Sequence, residues 1–127
     1  MSPPVIIGIG EILWDVFPGG KQLGGAPLNF SHHCAQLGAE ACPVSAVGAD
    51  ADGAEIRQIL AAKNLPDQHV QSDPANPTGR VNVTLQNGKP TYEILAEVAW
   101  DYIRFDQKLR DLASRADAAC FGSLAQR

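Results

Sequence analysis

The chain has little of what usually announces a function. It carries only three cysteines in 127 residues, Cys34, Cys42 and Cys120. An odd number at these spacings matches neither a disulfide framework nor a zinc pattern, so all three are predicted to be reduced and buried. No apolar run approaches the roughly 20 residues needed to cross a bilayer, which argues against a membrane role. The formal net charge is -4, with Lys and Arg scattered, so the electropositive stripe with which nucleic-acid binders meet phosphate is missing. The N-terminal stretch has no basic region, and Glu11 and Asp15 interrupt its apolar part. It does not read as a signal peptide, and the cytoplasm is the expected location.

Two common nucleotide motifs are also missing. A dinucleotide fingerprint would need a third glycine near Leu13, where "GIGEIL" supplies only Gly8 and Gly10 and the segment continues as strand. No Walker-type Gly-x-x-x-x-Gly-Lys-Ser/Thr occurs. Any ATP binding would have to use other parts.

What is present is an alternation of short apolar runs with helical periods. At 127 residues with 45% hydrophobic content, the chain suits one soluble globular domain. "PVIIGIG", Pro4 to Gly10, and "ACPVSAVG", ending at Gly48, read as strands buried on both faces of a parallel sheet. "AACFGSL" reads as a further short buried strand. In "EILWDVF", Ile12, Trp14 and Val16 alternate with Leu13, Asp15 and Phe17, and Pro18-Gly19-Gly20 makes a turn. Pro27 and Gly38 bracket a helix of about 27–37. A second helix, 54–63, places Ile56, Ile59, Leu60 and Lys63 on one stripe, with Asp50 or Asp52 as its cap. "FDQKLRDLASRAD" predicts a third helix, capped by Asp106. Between them Val81, Val83 and Leu85 alternate with polar residues up to Asn87-Gly88, the preferred turn pair of a tight hairpin. "SDPANPTG", 72–79, is a loop leading into that ribbon. Strands alternating with helices predict a right-handed parallel α/β sheet, and the hairpin a small second sheet set against it.

The chemistry-bearing residues are few. His32, His33 and Cys34 are adjacent, so on a helix they point about 100° apart and do not converge on one metal. One buried and one exposed histidine is the expected outcome. A Cys34 nucleophile would need a histidine from across the fold. Asp15, Gly24, Gly25 and Asn29 form the other constellation. Glycines let backbone approach a ligand, a helix start offers free N–H groups, and Asn29 both donates and accepts. An ionised Asp15 accepts from several hydroxyls at once. That set suits a polyhydroxylated, uncharged ligand, while a tight strand-to-helix turn accounts for the glycines alone.

"GGAPLNFSHHCAQLGAEACPVSAVG", Gly24 to Gly48, resembles the first signature of the ribokinase-like (PfkB) carbohydrate kinase family. The Gly-Gly pair, Asn29 four residues after Gly25, small Ser31 two further on, and Gly38 and Gly48 all fit. "GEILWDVFP", "GADADG", "TGRVNVTL", "YEILAEVAWDYI" and "CFGSLAQR" resemble the fructokinase branch in order and spacing. The resemblance implies the N-terminal part of a ribokinase-like three-layer α/β sandwich with a parallel central sheet and a small β-sheet lid, its strands near 11–24 and 68–98. It implies that Asp15, Gly24, Gly25 and Asn29 bind the sugar and that the lid closes over it and, in many members, pairs two subunits. It further implies ATP and Mg²⁺ for the complete enzyme. The general-base aspartate, in a Gly-Ala-Gly-Asp segment, is expected beyond Arg127, so no catalytic, cofactor-binding or metal-binding residue is expected within 1–127.

The expected activity is therefore ATP-dependent phosphorylation of a sugar hydroxyl, with fructose first and ribose, 2-keto-3-deoxygluconate and nucleosides as competing substrates. Two alternatives are a non-catalytic sugar-binding or interaction module and an inactive truncated product.

Overall fold

The computed structural model describes all 127 residues. Four parallel strands make the first sheet: β1 (Val5–Ile9), β4 (Glu40–Gly48), β5 (Val70–Asp73) and β8 (Ala118–Phe121). Their order is β5-β4-β1-β8. The second sheet contains β2 (Leu13–Phe17), β3 (Gly20–Gly24), β6 (Gly79–Gln86) and β7 (Lys89–Ile94), in the order β3-β2-β6-β7.

Helices cover both faces of the first sheet, which makes three layers. Residues of β4 alternate between the faces, as strand geometry requires. Ala41 and Val47 pack into a core with Leu28 of α1 (Ala26–Gln36) and Ile56 and Leu60 of α2 (Ala51–Ala62). Cys42 and Val44 point the other way, with Ile7, onto Leu109 and Leu112 of α3 (Gln107–Arg115). Burying each such aliphatic side chain is worth about 1.5 to 3 kcal/mol, so both layers are anchored by a few residues at helical spacing.

The helix ends follow the predicted chemistry with one displacement. Asp106 caps α3 through the Leu109 N–H at 2.9 Å. Asp50, not Asp52, caps α2 through the Gly53 N–H at 2.8 Å, so that helix begins at Ala51 rather than at residue 54. Gly53 lies inside its first turn, where a Cβ would collide with the Gly48 carbonyl oxygen. The Asn87-Gly88 hairpin is as expected: both residues have positive φ, 52° and 76°, the demand of a type I′ turn.

Two expectations are corrected. β8 is not a buried strand, because it pairs only with β1 and its residues are mostly exposed. Of the cysteines, all three are free but only Cys42 is fully buried.

Asp50 also joins the two sheets. Its Oδ1 accepts from the Thr78 hydroxyl at 2.6 Å and its Oδ2 from the Thr78 N–H at 2.9 Å, while the same hydroxyl accepts from the Gly48 N–H at 2.9 Å. The end of β4, the start of α2 and the approach to β6 are thus tied at one point. Partial burial pushes the Asp50 carboxyl up, but the bonds from Thr78 and Gly53 outweigh it and hold it below its ordinary value. A folded-state value below the unfolded one contributes stability that is present above about pH 4 and is lost as pH falls through the folded value. Asp50→Ala is expected to cost about 1 to 2 kcal/mol at neutral pH, the range for a lost cap. In chemical denaturation the gap from wild type should narrow steadily below about pH 4; a gap independent of pH would contradict this role.

Candidate sugar-binding site

The site is built where β2 turns into β3 and β3 into α1. β2 and β3 are antiparallel, with Asp15 opposite Gln22 and Leu13 opposite Gly24. β2 and β6 run parallel, with Asp15 beside Val81. Alternation then divides the sheet into two faces. Trp14 and Val16 face α2 and the main core. Leu13 packs with Val81 and Val83 on the other face, and Asp15 belongs to that same face by register.

Asp15 is half-buried, and its side chain takes part in no hydrogen bond or ion pair within the chain. Burial raises its carboxyl above the usual aspartate value. Its nearest support is a glycine: a Cβ on Gly24 would collide with the Asp15 carboxylate. Gly25 has a different reason to be glycine. Its φ is +116°, and a Cβ there would run into the Glu11 carbonyl oxygen. Gly25 is also the N-cap of α1, and its carbonyl accepts the Asn29 N–H at 3.0 Å. No side chain caps this helix, so its positive end is left open to a ligand's oxygens.

The structure thus brings together Asp15, Gly24 and Gly25. Asn29 is exposed, and it borders a hollow of about 70 Å³ with Leu23, Leu28, His32 and Lys63; its side chain makes no hydrogen bond to Asp15. No cavity encloses the Asp15 face. The largest cavity, about 410 Å³, lies at the end of β5 between Asp73, Asn76, Tyr102 and Arg104, away from the glycine turn.

The His-His-Cys run separates as helical geometry demands. The His32 and His33 rings are 5.7 Å apart and tilted by 51°; His32 is partly buried and His33 exposed. No group of three or more His, Cys, Asp or Glu side chains is placed to hold a metal ion.

One residue of the site region was not singled out from sequence. Glu11 is only 5% exposed, and its Oε2 is buried without a partner. An unmade hydrogen bond at a buried polar atom costs about 1 to 3 kcal/mol. Glu11→Leu is therefore expected to raise the melting temperature of the ligand-free chain in a circular-dichroism melt; a lower one would show that the carboxylate is satisfied. Its only sequence signal was a charge breaking an apolar stretch.

An open parallel sheet with helices on both faces and a separate small sheet define an α/β protein, in which a glycine turn feeds a helix start beside an unpartnered carboxylate. Residues 11–125 match the model of the pfkB family carbohydrate kinases, and the chain belongs to that family. An uncharacterized sugar kinase of Pyrococcus horikoshii is 28% identical over 104 residues, spanning 82% of this chain and 34% of that protein. Its crystal structure superposes with a TM-score of 0.83 at 26% identity, over 95% of this chain and 43% of that one; it has also been solved in complex with ATP. The apo fructokinase of Vibrio cholerae O395 gives a TM-score of 0.74 at 26% identity, over 81% and 38% of the two chains. The chain therefore spans about a third of the length of the curated relative it matches. No helix is long and apolar enough to cross a membrane.

Proposed function

We propose that residues 1–127 supply the sugar-binding part of a kinase that transfers the γ-phosphoryl group of ATP to a sugar hydroxyl, with fructose the first candidate. The observation that carries this reading is the Asp15 carboxylate: partly desolvated, resting on Gly24, and without any partner of its own. A group held at that cost is suited to accepting hydrogen bonds from hydroxyls of a bound sugar. The backbone at Gly25 and the open start of α1 would receive sugar oxygens. Asn29 would reach the sugar from the first turn of α1, which requires its exposed side chain to swing from the hollow beside Lys63. Their role is positioning: a hydroxyl held out of line does not attack.

The second sheet is read as a lid. Phe17, Leu85, Tyr92 and Ile94 are exposed and share the Asp15 face by register. An apolar face beside the Asp15 carboxylate would exclude water on closure and could pair with the same face of a second copy. The ATP complex of the Pyrococcus relative and the fructokinase likeness support ATP as the phosphoryl donor and fructose as the acceptor. Mg²⁺ would neutralise the phosphates, and the groups that hold it, and the general base, are expected outside 1–127.

Titration calorimetry with fructose, ribose and 2-keto-3-deoxygluconate tests the reading directly. Fructose is expected to bind best. A chain that binds none of them is not a sugar-binding half. Phosphorylation of fructose by these residues alone, given ATP and Mg²⁺, would overturn the division of labour.

A further inference from the structure

On the face of the second sheet opposite Asp15, Asp52 of α2 receives bonds from Trp14, Lys21 and Arg80. Trp14 is 2% exposed, and its Nε1 donates to the backbone carbonyl of Asp52 at 3.3 Å. The Lys21 ammonium stands 4.1 Å over the same indole ring. That ammonium also donates to Asp52 Oδ1 at 2.8 Å and to Glu55 Oε2 at 2.7 Å. From β6, Arg80 Nε donates to Asp52 Oδ2 at 2.9 Å. In register, Trp14 lies between Leu23 of β3 and Arg80 of β6. One residue in the first turn of α2 therefore grips a residue from each of three adjacent strands.

The grip is more than a set of surface ion pairs. An isolated exposed pair contributes little, because water screens it and two long side chains must be ordered. Here the Asp52 side chain is only 18% exposed and two cations share it, and one of those cations is seated on a buried ring. Burial would lift the Asp52 carboxyl, but the bonds from Lys21 and Arg80 hold it below its ordinary value. The Thr78 tie fixes the loop before β6, whereas Asp52 holds the strands themselves.

Consecutive side chains on a strand point to opposite faces, so whatever fixes Trp14 also fixes the backbone that carries Asp15. We propose that Asp52 is a positioning residue for sugar recognition: by clamping Trp14, Lys21 and Arg80 to α2 it sets the height of Asp15 over Gly24 on the far side of β2. The proposal rests on the reading of Asp15 as a sugar ligand. None of the three clamped side chains touches the sugar face.

The test uses Asp52→Asn, with Lys21→Met as a second variant that keeps the apolar stem over Trp14 and removes the charge. Amide hydrogen exchange needs no ligand. Exchange in β2 and β3 is expected to quicken about tenfold in both variants while β1 and β4 are unchanged, as local opening of one unit allows. Fructose affinity is expected to fall about fivefold in both, the scale of a modest partly screened pair. Wild-type affinity should weaken as salt rises from about 0.02 to 0.5 M, and that salt dependence should be smaller in both variants, because Asp52→Asn keeps only the Lys21–Glu55 pair and Lys21→Met only the Arg80–Asp52 pair to screen. A residue that merely stabilised the fold would not carry a salt dependence of sugar affinity. Exchange that quickens equally in β1 and β4, or fructose affinity unchanged in both variants, overturns the proposal. Failure of the wild type to bind any of the three sugars overturns the sugar reading itself and, with it, the recognition role of Asp52; normal wild-type binding with unaltered variants overturns Asp52 alone.

Discussion

Replacing Asp15 with alanine is expected to weaken fructose binding by about tenfold to a hundredfold. The figure follows from the roughly 1.5 to 3 kcal/mol typical of hydrogen bonds to a charged group, with about 1.4 kcal/mol per factor of ten. The structure adds a second half to the prediction. Burial raises the Asp15 carboxyl, so folding favours its neutral form and the ionised form costs stability above the folded value. Asp15→Asn should therefore lose affinity yet melt at a slightly higher temperature than wild type at neutral pH, an advantage that shrinks as pH falls through the folded value. Calorimetric titration and a thermal melt on the same sample check both. Unchanged affinity would remove Asp15 from the site; a lower melting temperature would show that the carboxylate has a structural partner.

The second large effect separates two adjacent glycines. Gly25→Ala places a side chain at a φ of +116° and drives its Cβ into the Glu11 carbonyl oxygen. Backbone cannot swing aside as a side chain can, and strain of about 1 to 3 kcal/mol for the dihedral adds to the overlap. Loss of about 3 kcal/mol or more of folding stability is expected in urea denaturation. Gly24→Ala meets only the Asp15 carboxylate and, at an ordinary 3.5 Å, the Leu13 side chain. The carboxylate can rotate, so stability should change little while fructose affinity falls. If both variants lose stability equally, the division between a structural and a ligand-facing glycine is wrong.

The placement of these glycines was partly legible without the fold. A Gly-Gly pair before Pro27 and Asn29 marked a strand-to-helix turn, and the alternation of "EILWDVF" set Asp15 apart from Trp14. Which glycine served which purpose was not legible, because Gly24 is explained by a carboxylate nine residues earlier and Gly25 by a carbonyl fourteen residues earlier. The start of α2 was misplaced for a local reason: Gly53 reads as a turn residue, yet it lies in the helix because its N–H is taken by Asp50. β8 was read as buried from its apolar content, although it lies at the sheet's edge beside β1. Asp52 was read only as a candidate helix cap and Glu11 only as an interruption of an apolar stretch, because a single acidic residue has no period and no partner visible along the chain.

By itself the sequence determined the periods: the parallel strands, the three helices and the Asn87-Gly88 hairpin. These depend on contacts within a few residues, where spacing alone sets which side chains share a face. Only the tertiary structure decided that β2 runs parallel to β6 across a gap of more than sixty residues, and that Asp52 grips three strands at once. Such pairings are chosen by the closure of long loops and by which faces can be buried together, and neither quantity is written in any one stretch of the chain.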